Sequence, residues 1–425
     1  MPVLDVAPFR PDNAHLNSAY ATEIWNVLRA ESSYIPFKAL QTFTAQVGAV
    51  PLGGITIRDD DGLTHIFCGT AGKLWKLDNT TLTWEDVSKA ATTYSATIDE
   101  RWRFKYYKPY VVAVNINDDP QYYQIGTSTD FANLPGTPPR MRQIAVTGDR
   151  LSGVDDDTMY WSDTDNISNW TTGTSGSQKF PDGGKLMGLT DATNPLIFQK
   201  AKIRLGTFVP GSLETFSFQT IHDQRGAAAP YSICTRGAVT FFADSGAFFM
   251  ISSDGQISPV GFEKVDRTIF GQISGVGLTR IFGEIDPFYS RVYFAIQVES
   301  TTDAFDRLLC YDWQIGEWTQ IRMSLNILFP LASGTIGYTL AGLDTISATL
   351  AGLPFPLGSK VWQGGAPVMA AFDSNGALGF FQGANAEATI VTQELGDPAA
   401  GVTRFNEVVP IVDVDDFSDL RLSVG

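Results

Sequence analysis

One recurrence constrains this chain more than any other feature. Segments made of an apolar strand, a Gly or Asp turn and an aromatic strand centre on IFCGTAGKLWKL (66–77), VVAVNINDDPQYYQI (111–125), LSGVDDDTMYWSD (151–163), AKIRLGTFVPGSLETFSF (201–218), VTFFADSGAFFMISSDGQISPVG (239–261), RVYFAIQVESTTDAFDRLLCYD (291–312) and VMAAFDSNGALGFFQG (368–383). They are spaced mostly about 40–50 residues apart, the length of a four-stranded propeller blade. Runs such as Val111–Ile116, Ala238–Phe242, Ala247–Ser252 and Arg291–Gln297 are short, β-branched or aromatic, and bounded by Gly, Asp or Asn. The expected fold is therefore all-β, a β-propeller of six or seven blades with an N-terminal arm and a small C-terminal β extension.

Helical spacing is scarce. Residues 16–30 (LNSAYATEIWNVLRA) and 340–350 are the two candidate helices. Residues 1–50 read as an N-terminal arm and a closing strand, with Tyr34–Val50 entering the sheet. Residues 51–321 read as blades. Residues 322–425 read as a last blade or small β-domain, interrupted by a Gly/Leu-rich insertion at 333–365 and resuming with a hairpin at Pro367–Gln382. The rings of Trp75, Trp84, Trp102, Trp161, Trp170, Trp313 and Trp318 are expected as packing wedges between blades, since large rings of this kind are mostly buried.

Thirty Lys+Arg against 46 Asp+Glu give a net charge of −16, which argues against a nucleic-acid grip built on a basic face. Cys68, Cys234 and Cys310 are odd in number and far apart, so neither a disulfide framework nor a CxxC zinc module is expected. The first residues lack the apolar core of a secretory signal. No run approaches the roughly 18 apolar residues of a spanning helix. The expectation is a product made in the cytoplasm, with no membrane span.

Catalytic signals are weak. His15, His65 and His222 have no metal-ligand neighbours in sequence, and no GxSxG, GxGxxG or P-loop motif occurs. No catalytic residue, cofactor or metal site is therefore expected, and the chain is read as a non-enzyme. SDTDNISNW (162–170) resembles a glycosidase Asp-box but misses its spacing and does not recur, so it reads as a strand-turn signal. Arg101, Arg103, Lys105 and Lys108 alternate with Trp102, Phe104, Tyr106 and Tyr107. That pattern suits a stacking strip for single strands or an ordinary half-buried strand, and the net charge favours the second. Acidic clusters at Asp59, Asp60 and Asp61, at Asp118 and Asp119, and at Asp155, Asp156 and Asp157 fall in expected turns, with a further group at Asp413, Asp415, Asp416 and Asp419. Turn geometry explains Asp there. If copies of the chain ring a channel, the first eight would line it with negative potential.

The ordered series SYIPFKAL (33–40), GGITIRDDDGLTHIFCGTAGKLWKL (53–77), WEDVS (84–88), YSATIDERWRFKYYKPYVVAVNINDDPQYY (94–123), FANLPGTPPRMRQIAV (131–146) and TMYWSDTDNISNW (158–170) resembles the tail nozzle or hub proteins of short-tailed bacteriophages. SLETFSFQTIHDQRGAAAP (212–230), FFADSGAFFMISSDGQISPVGFEKVD (241–266), LLCYDWQIGEWTQI (308–321) and TLAGLDTISATLAGLPFPLGSKVWQGG (339–365) continue it. The resemblance implies a virion protein of the tail, a propeller protomer in a ring, usually a hexamer, beneath the portal-adaptor ring. Such a ring conducts double-stranded DNA without binding it tightly, helps retain it, and holds tail fibres or spikes. The arm (1–30), the insertion 333–365 and the C-terminal strand are the expected partner contacts. A glycan-binding or glycan-degrading tail propeller is the alternative.

Overall fold

The computed structural model describes residues 7–13, 20–30, 33–212, 214–273, 275–299, 302–332 and 367–392, with 347, 349 and 352. The fold is a β-propeller. Five separate four-stranded antiparallel sheets follow one another along the chain, at Gly53–Asp86, Arg103–Asn133, Gln143–Lys179, Leu186–His222 and Cys234–Pro259. A seven-stranded sheet follows, in two four-stranded units that share one 16-residue strand, Glu317–Ala332, and two two-stranded sheets stand apart from it. Its first half pairs with Phe305–Asp312. A register shift near Leu325–Ile327 then turns the second half toward Pro367–Asp373. Among the described residues strand pairing thus gives seven units. The 321/322 boundary expected from sequence falls inside this continuous strand.

Sequence pattern explains why each unit is a tight meander. In the first, Gly62 takes a φ of +81°, and the Asp59 carboxylate accepts the Leu63 N–H at 2.8 Å, closing the turn after Gly53–Arg58. In the third, Asp155 accepts from the N–H groups of Asp157 and Thr158. The last unit is completed from the other end of the chain. Gln41–Gln46 pairs with Ala377–Phe380 as its outermost strand, and Val47 N–H donates to Gly376 O.

No single core exists. Seven apolar clusters fill the wedges between neighbouring units. Trp102 lies between the first and second units, where its indole covers Gly69 so closely that a Cβ there would fall 2.4 Å from the ring. Its Nε1 donates to Thr70 O at 2.8 Å. Trp170 lies between the second and third units and Trp161, against Phe216, between the third and fourth. Trp318 and the half-buried Trp313 lie between the fifth and sixth. Trp75 and Trp84 lie where the last unit meets the first, Trp84 with its ring 5.4 Å from Phe372. Each unburied ring edge would otherwise leave a gap that water could not fill favourably.

The helix expected over 16–30 is not formed in its described part. Glu23–Trp25 and Val27–Ala30 are strands, paired with Thr389–Val391 and Ser33–Pro36, and Asn26 between them has a φ of +59°. Ile24 and Val27 enter one apolar wedge and Leu28 the next. Consecutive Val27 and Leu28 facing different wedges, after an αL break at Asn26, suit an extended chain, and tertiary pairing overrides local propensity. Two short helices do occur, Asp266–Gln272 and Gly275–Arg280, between the fifth and sixth units. Asp12 of the arm accepts the N–H groups of Arg267 and Thr268 at 2.9 and 2.7 Å, so its charge sits at the positive end of the first helix. The candidate helix 340–350, nearly all of the insertion 333–365, and Asp413, Asp415, Asp416 and Asp419 lie outside the described residues.

Trp102→Ala should cost about 3–5 kcal/mol, the range for removing a buried aromatic that cannot be refilled. Urea unfolding monitored by fluorescence measures this, and a loss under about 1 kcal/mol would contradict the wedge role.

Candidate functional site

The first strands of all seven units converge on one axial cavity of about 300 Å³. The first unit offers Thr56, the second Arg103 and Lys105, the third Gln143, the fifth Cys234 and Thr235, and the sixth Glu284, while the seventh adds apolar wall at Leu328–Pro330. Arg103 and Lys105 of the strip at 101–108 thus line a cavity inside the propeller, Lys108 lies outside it on Asp60, and Trp102 is a wedge between units.

One end of the cavity is closed. Arg101 is fully buried at the start of its strand, and its N–H donates to the Tyr231 hydroxyl at 2.6 Å. Its guanidinium donates to Ile98 O and, across the axis, to Asn326 O. Burial pushes Arg101 down to about 10, against the pull of Asp99, and the Tyr231 phenol up to about 12, with Glu100 adding to the rise. The opposite end is open, and Lys105 pairs there with Asp191, whose second oxygen accepts the Val146 N–H at 2.8 Å.

Arg103 and Glu284 face the space between. Arg103 lies over the rings of Tyr231 and Phe282, at 4.7 and 5.6 Å, and its Nη2 reaches Pro230 O at 3.4 Å. Glu284 accepts the N–H of Ile285 at 3.1 Å, and burial raises it to about 7 against the weaker pull of that bond, Arg103 and Lys105. Among the described residues no ion pair joins Arg103 to Glu284. Gln143 is 8% exposed, and its Oε1, the Arg103 Nε and the Thr56 Oγ1 are shut off from water and have no hydrogen-bond partner among the described residues. Gly188 beside Gln143 admits the amide, since a Cβ there would lie 1.8 Å from Oε1. Lys105 and Arg103 were singled out in sequence; Glu284, Gln143 and Thr56 were not, because nothing in a single strand marks which residue will meet six others on an axis.

The acidic turns lie elsewhere. Asp59–Asp61 follow a first strand, whereas Asp118–Asp119 and Asp155–Asp157 follow second strands, so antiparallel topology sends the two sets to opposite ends of the propeller. None lines the axial cavity. Four are paired locally with cations, Asp60 with Lys108 (2.7 Å), Asp119 with Arg140 (3.0 Å), Asp156 with Arg142 and Lys185 (both 3.0 Å) and Asp157 with Lys179 (2.8 Å), and Asp59 is hydrogen-bonded to His65 (2.9 Å). Asp118 accepts the Ser95 N–H at 2.8 Å. In SDTDNISNW, Asp163 ties a surface loop together, accepting from Thr174, Thr164 and Asn169, and these bonds hold it down at about 2. Among the described residues no group of three His, Cys, Asp or Glu side chains is placed to hold a metal.

A second opening, about 550 Å³, is a groove on the rim of the sixth and seventh units. Ile35, Phe288 and Tyr289 stand exposed there at 44, 56 and 48%. The aromatic pair is held rigidly. Asp286 accepts both of its N–H groups at 2.9 Å, Arg236 donates to the carbonyls of Asp286 and Tyr289 at 2.8 Å, and Arg291 stacks 4.9 Å over Tyr289.

No protein-family model matches the chain, and no curated protein matches it. Among solved structures it is similar to the extracellular domain of a hybrid two-component system from B. thetaiotaomicron, with a TM-score of 0.49 and 10% identity over 81% of this chain and 40% of that one. It is also similar to streptogramin B lyase, with a TM-score of 0.47 and 13% identity over 68% of this chain and 88% of that one. The chain spans less than half the length of the first. No residue's role is carried over from either.

Glu284 gives a signed pH dependence. Its folded value is raised, so the folded state holds the proton more tightly than the unfolded chain. Stability is greatest below the unfolded value of 4.5 and falls as pH rises toward about 7. Glu284→Gln should therefore be more stable than wild type at pH 8, by up to about 2–3 kcal/mol, and no more stable at pH 4.5. Denaturant midpoints at the two pH values check this; an equal difference at both would contradict the burial of this carboxyl.

Proposed function

We propose that this chain is a structural protein of a short-tailed phage virion, a propeller protomer of the tail nozzle or hub ring. The observation that carries the reading is the ordered motif series from residue 33 to residue 365. The rigid aromatic groove supports it in kind, because exposed apolar surface rimmed by polar groups marks protein interfaces. Its occupant in this reading is a neighbouring copy of the chain.

The axial cavity bears on where DNA would pass. Its volume is that of a sphere about 8 Å across, less than the ~12 Å width of a duplex major groove alone. In this reading the conduit lies between copies, walled by their outer surfaces, and adaptor, fibres or spikes dock on the same exterior. The acidic turns at opposite ends, four of their eight acids paired with Lys or Arg, supply a weaker repulsive field than their count suggests. The remaining acidic excess includes residues 393–425, with seven Asp or Glu against two Arg.

Electron microscopy and mass measurement of the chain together with its portal-adaptor ring test the proposal. A closed ring of protomers is expected. The double variant Phe288→Ser/Tyr289→Ser should keep its circular dichroism and lose ring formation at least tenfold. Monomers only, with the adaptor present, would overturn the reading.

A further inference from the structure

The rim groove of the sixth and seventh units combines two chemistries. Most of it is aromatic: Phe37 and Tyr293 are buried with ring centroids 6.4 Å apart, Phe381 packs 5.1 Å from Phe37, and Phe288 and Tyr289 stand exposed. Lys38 differs. It is exposed beside this apolar surface and makes no ion pair among the described residues. The other charged groups of the lining are engaged, Asp286 by the two N–H groups of the aromatic pair and Arg291 by Asp312 at 3.2 Å. Ile35 and Pro36 of the lining belong to Ser33–Pro36, a strand that among the described residues has one neighbour only, Val27–Ala30.

We propose that this groove receives residues 408–416 of a neighbouring copy, VVPIVDVDD, an inference that rests on the ring reading above and names the segment joining one protomer to the next. The segment lies outside the described residues, and its composition complements the groove. Val408, Val409, Pro410, Ile411 and Val412 form an apolar run of four β-branched residues and a proline, which favours extended backbone. Aromatic-lined grooves take up extended segments that hold proline, and a β-branched run can add to an open strand edge such as that of Ser33–Pro36. Asp413, Asp415 and Asp416 follow at once and supply carboxylates for Lys38. The insertion 333–365 is a poorer match, since its one acid, Asp344, is balanced by Lys360.

Reach permits the exchange. Val408 lies 16 residues beyond Thr392, the last described residue. An extended chain of that length spans up to about 55 Å, well beyond the radius of gyration of about 20 Å of a domain this size. The two halves of the segment do different work. Burial of the apolar run against the aromatic lining supplies the affinity. An exposed Lys–Asp pair adds little to it, and instead fixes which way the segment runs and makes binding sensitive to salt.

Fluorescence-anisotropy titration with a labelled synthetic peptide of residues 404–420 tests the contact. The receptor is the full chain carrying Val409→Asp/Ile411→Asp, which disables its own segment. The wild-type peptide is expected to bind, and the peptide with the same two substitutions to bind at least about tenfold more weakly. Adding Phe288→Ser/Tyr289→Ser to the receptor should also cost at least about tenfold, and adding Lys38→Glu about three- to tenfold with a flatter salt dependence; circular dichroism checks that each receptor is folded. Carbodiimide cross-linking of mixed isotope-labelled and unlabelled wild-type copies, with and without the adaptor ring, identifies the donor. Links from Lys38 to Asp413, Asp415 or Asp416 are expected between labelled and unlabelled copies. No binding at about 1 mM peptide, equal binding of the altered peptide, links within one copy only, or a link from Lys38 to Asp344 instead would each overturn the proposal. Rings that form while the peptide fails to bind overturn this segment alone. Peptide binding and cross-copy links without rings on the adaptor uphold the contact and overturn the ring reading.

Discussion

The architecture depends on one backbone pairing, that of Gln41–Gln46 with Ala377–Phe380. A propeller leaves its first and last units as open edges unless something joins them, and open edges pair with whatever they meet. Here the outermost strand of the last unit comes from near the N-terminus. Phe43 stacks on Phe380 at 4.7 Å across this pair, Leu378 N–H donates to the Thr44 hydroxyl, and Trp84 of the first unit donates to Ala45 O. Closure therefore welds three partners at one seam: the early strand, the last hairpin and the first unit. It also brings Gly53–Arg58 against the end of Glu317–Ala332, completing the wall of the axial cavity.

Charge is distributed in two distinct ways. On the outside, acidic turn residues are capped and paired with Lys and Arg, which makes them elements of loop geometry first. Such exposed pairs add little stability individually. On the axis, Arg103 and Glu284 are held apart by strands they cannot leave. The arrangement costs stability and is the part of the molecule least explained by packing.

Much of this was legible in sequence. Seven recurrent hairpins, their Asp–Gly turns and their tryptophans mark the units, because turn chemistry and aromatic wedges are local signals. The segment 16–30 was misread since a mixed three- and four-residue spacing of Ile24, Trp25 and Leu28 also fits two strands broken at Asn26, and only the partners Thr389–Val391 and Ser33–Pro36 decide between them. The basic face of Arg103 and Lys105 was visible, but its destination was not. Which residues share an axis depends on the radial position of seven strands separated by up to about 280 residues, and no local pattern encodes that.

Native-state hydrogen exchange at the seam tests the central claim, that one early strand closes the ring. If it does, the amides of Gln41–Gln46 and Ala377–Phe380 that bond across the seam open with the same free energy as those of Phe67 and Val112 in the unit interiors, because the seam yields only with the whole ring. Exchange of Gln41–Gln46 at near-unprotected rates while Phe67 and Val112 remain protected would contradict it.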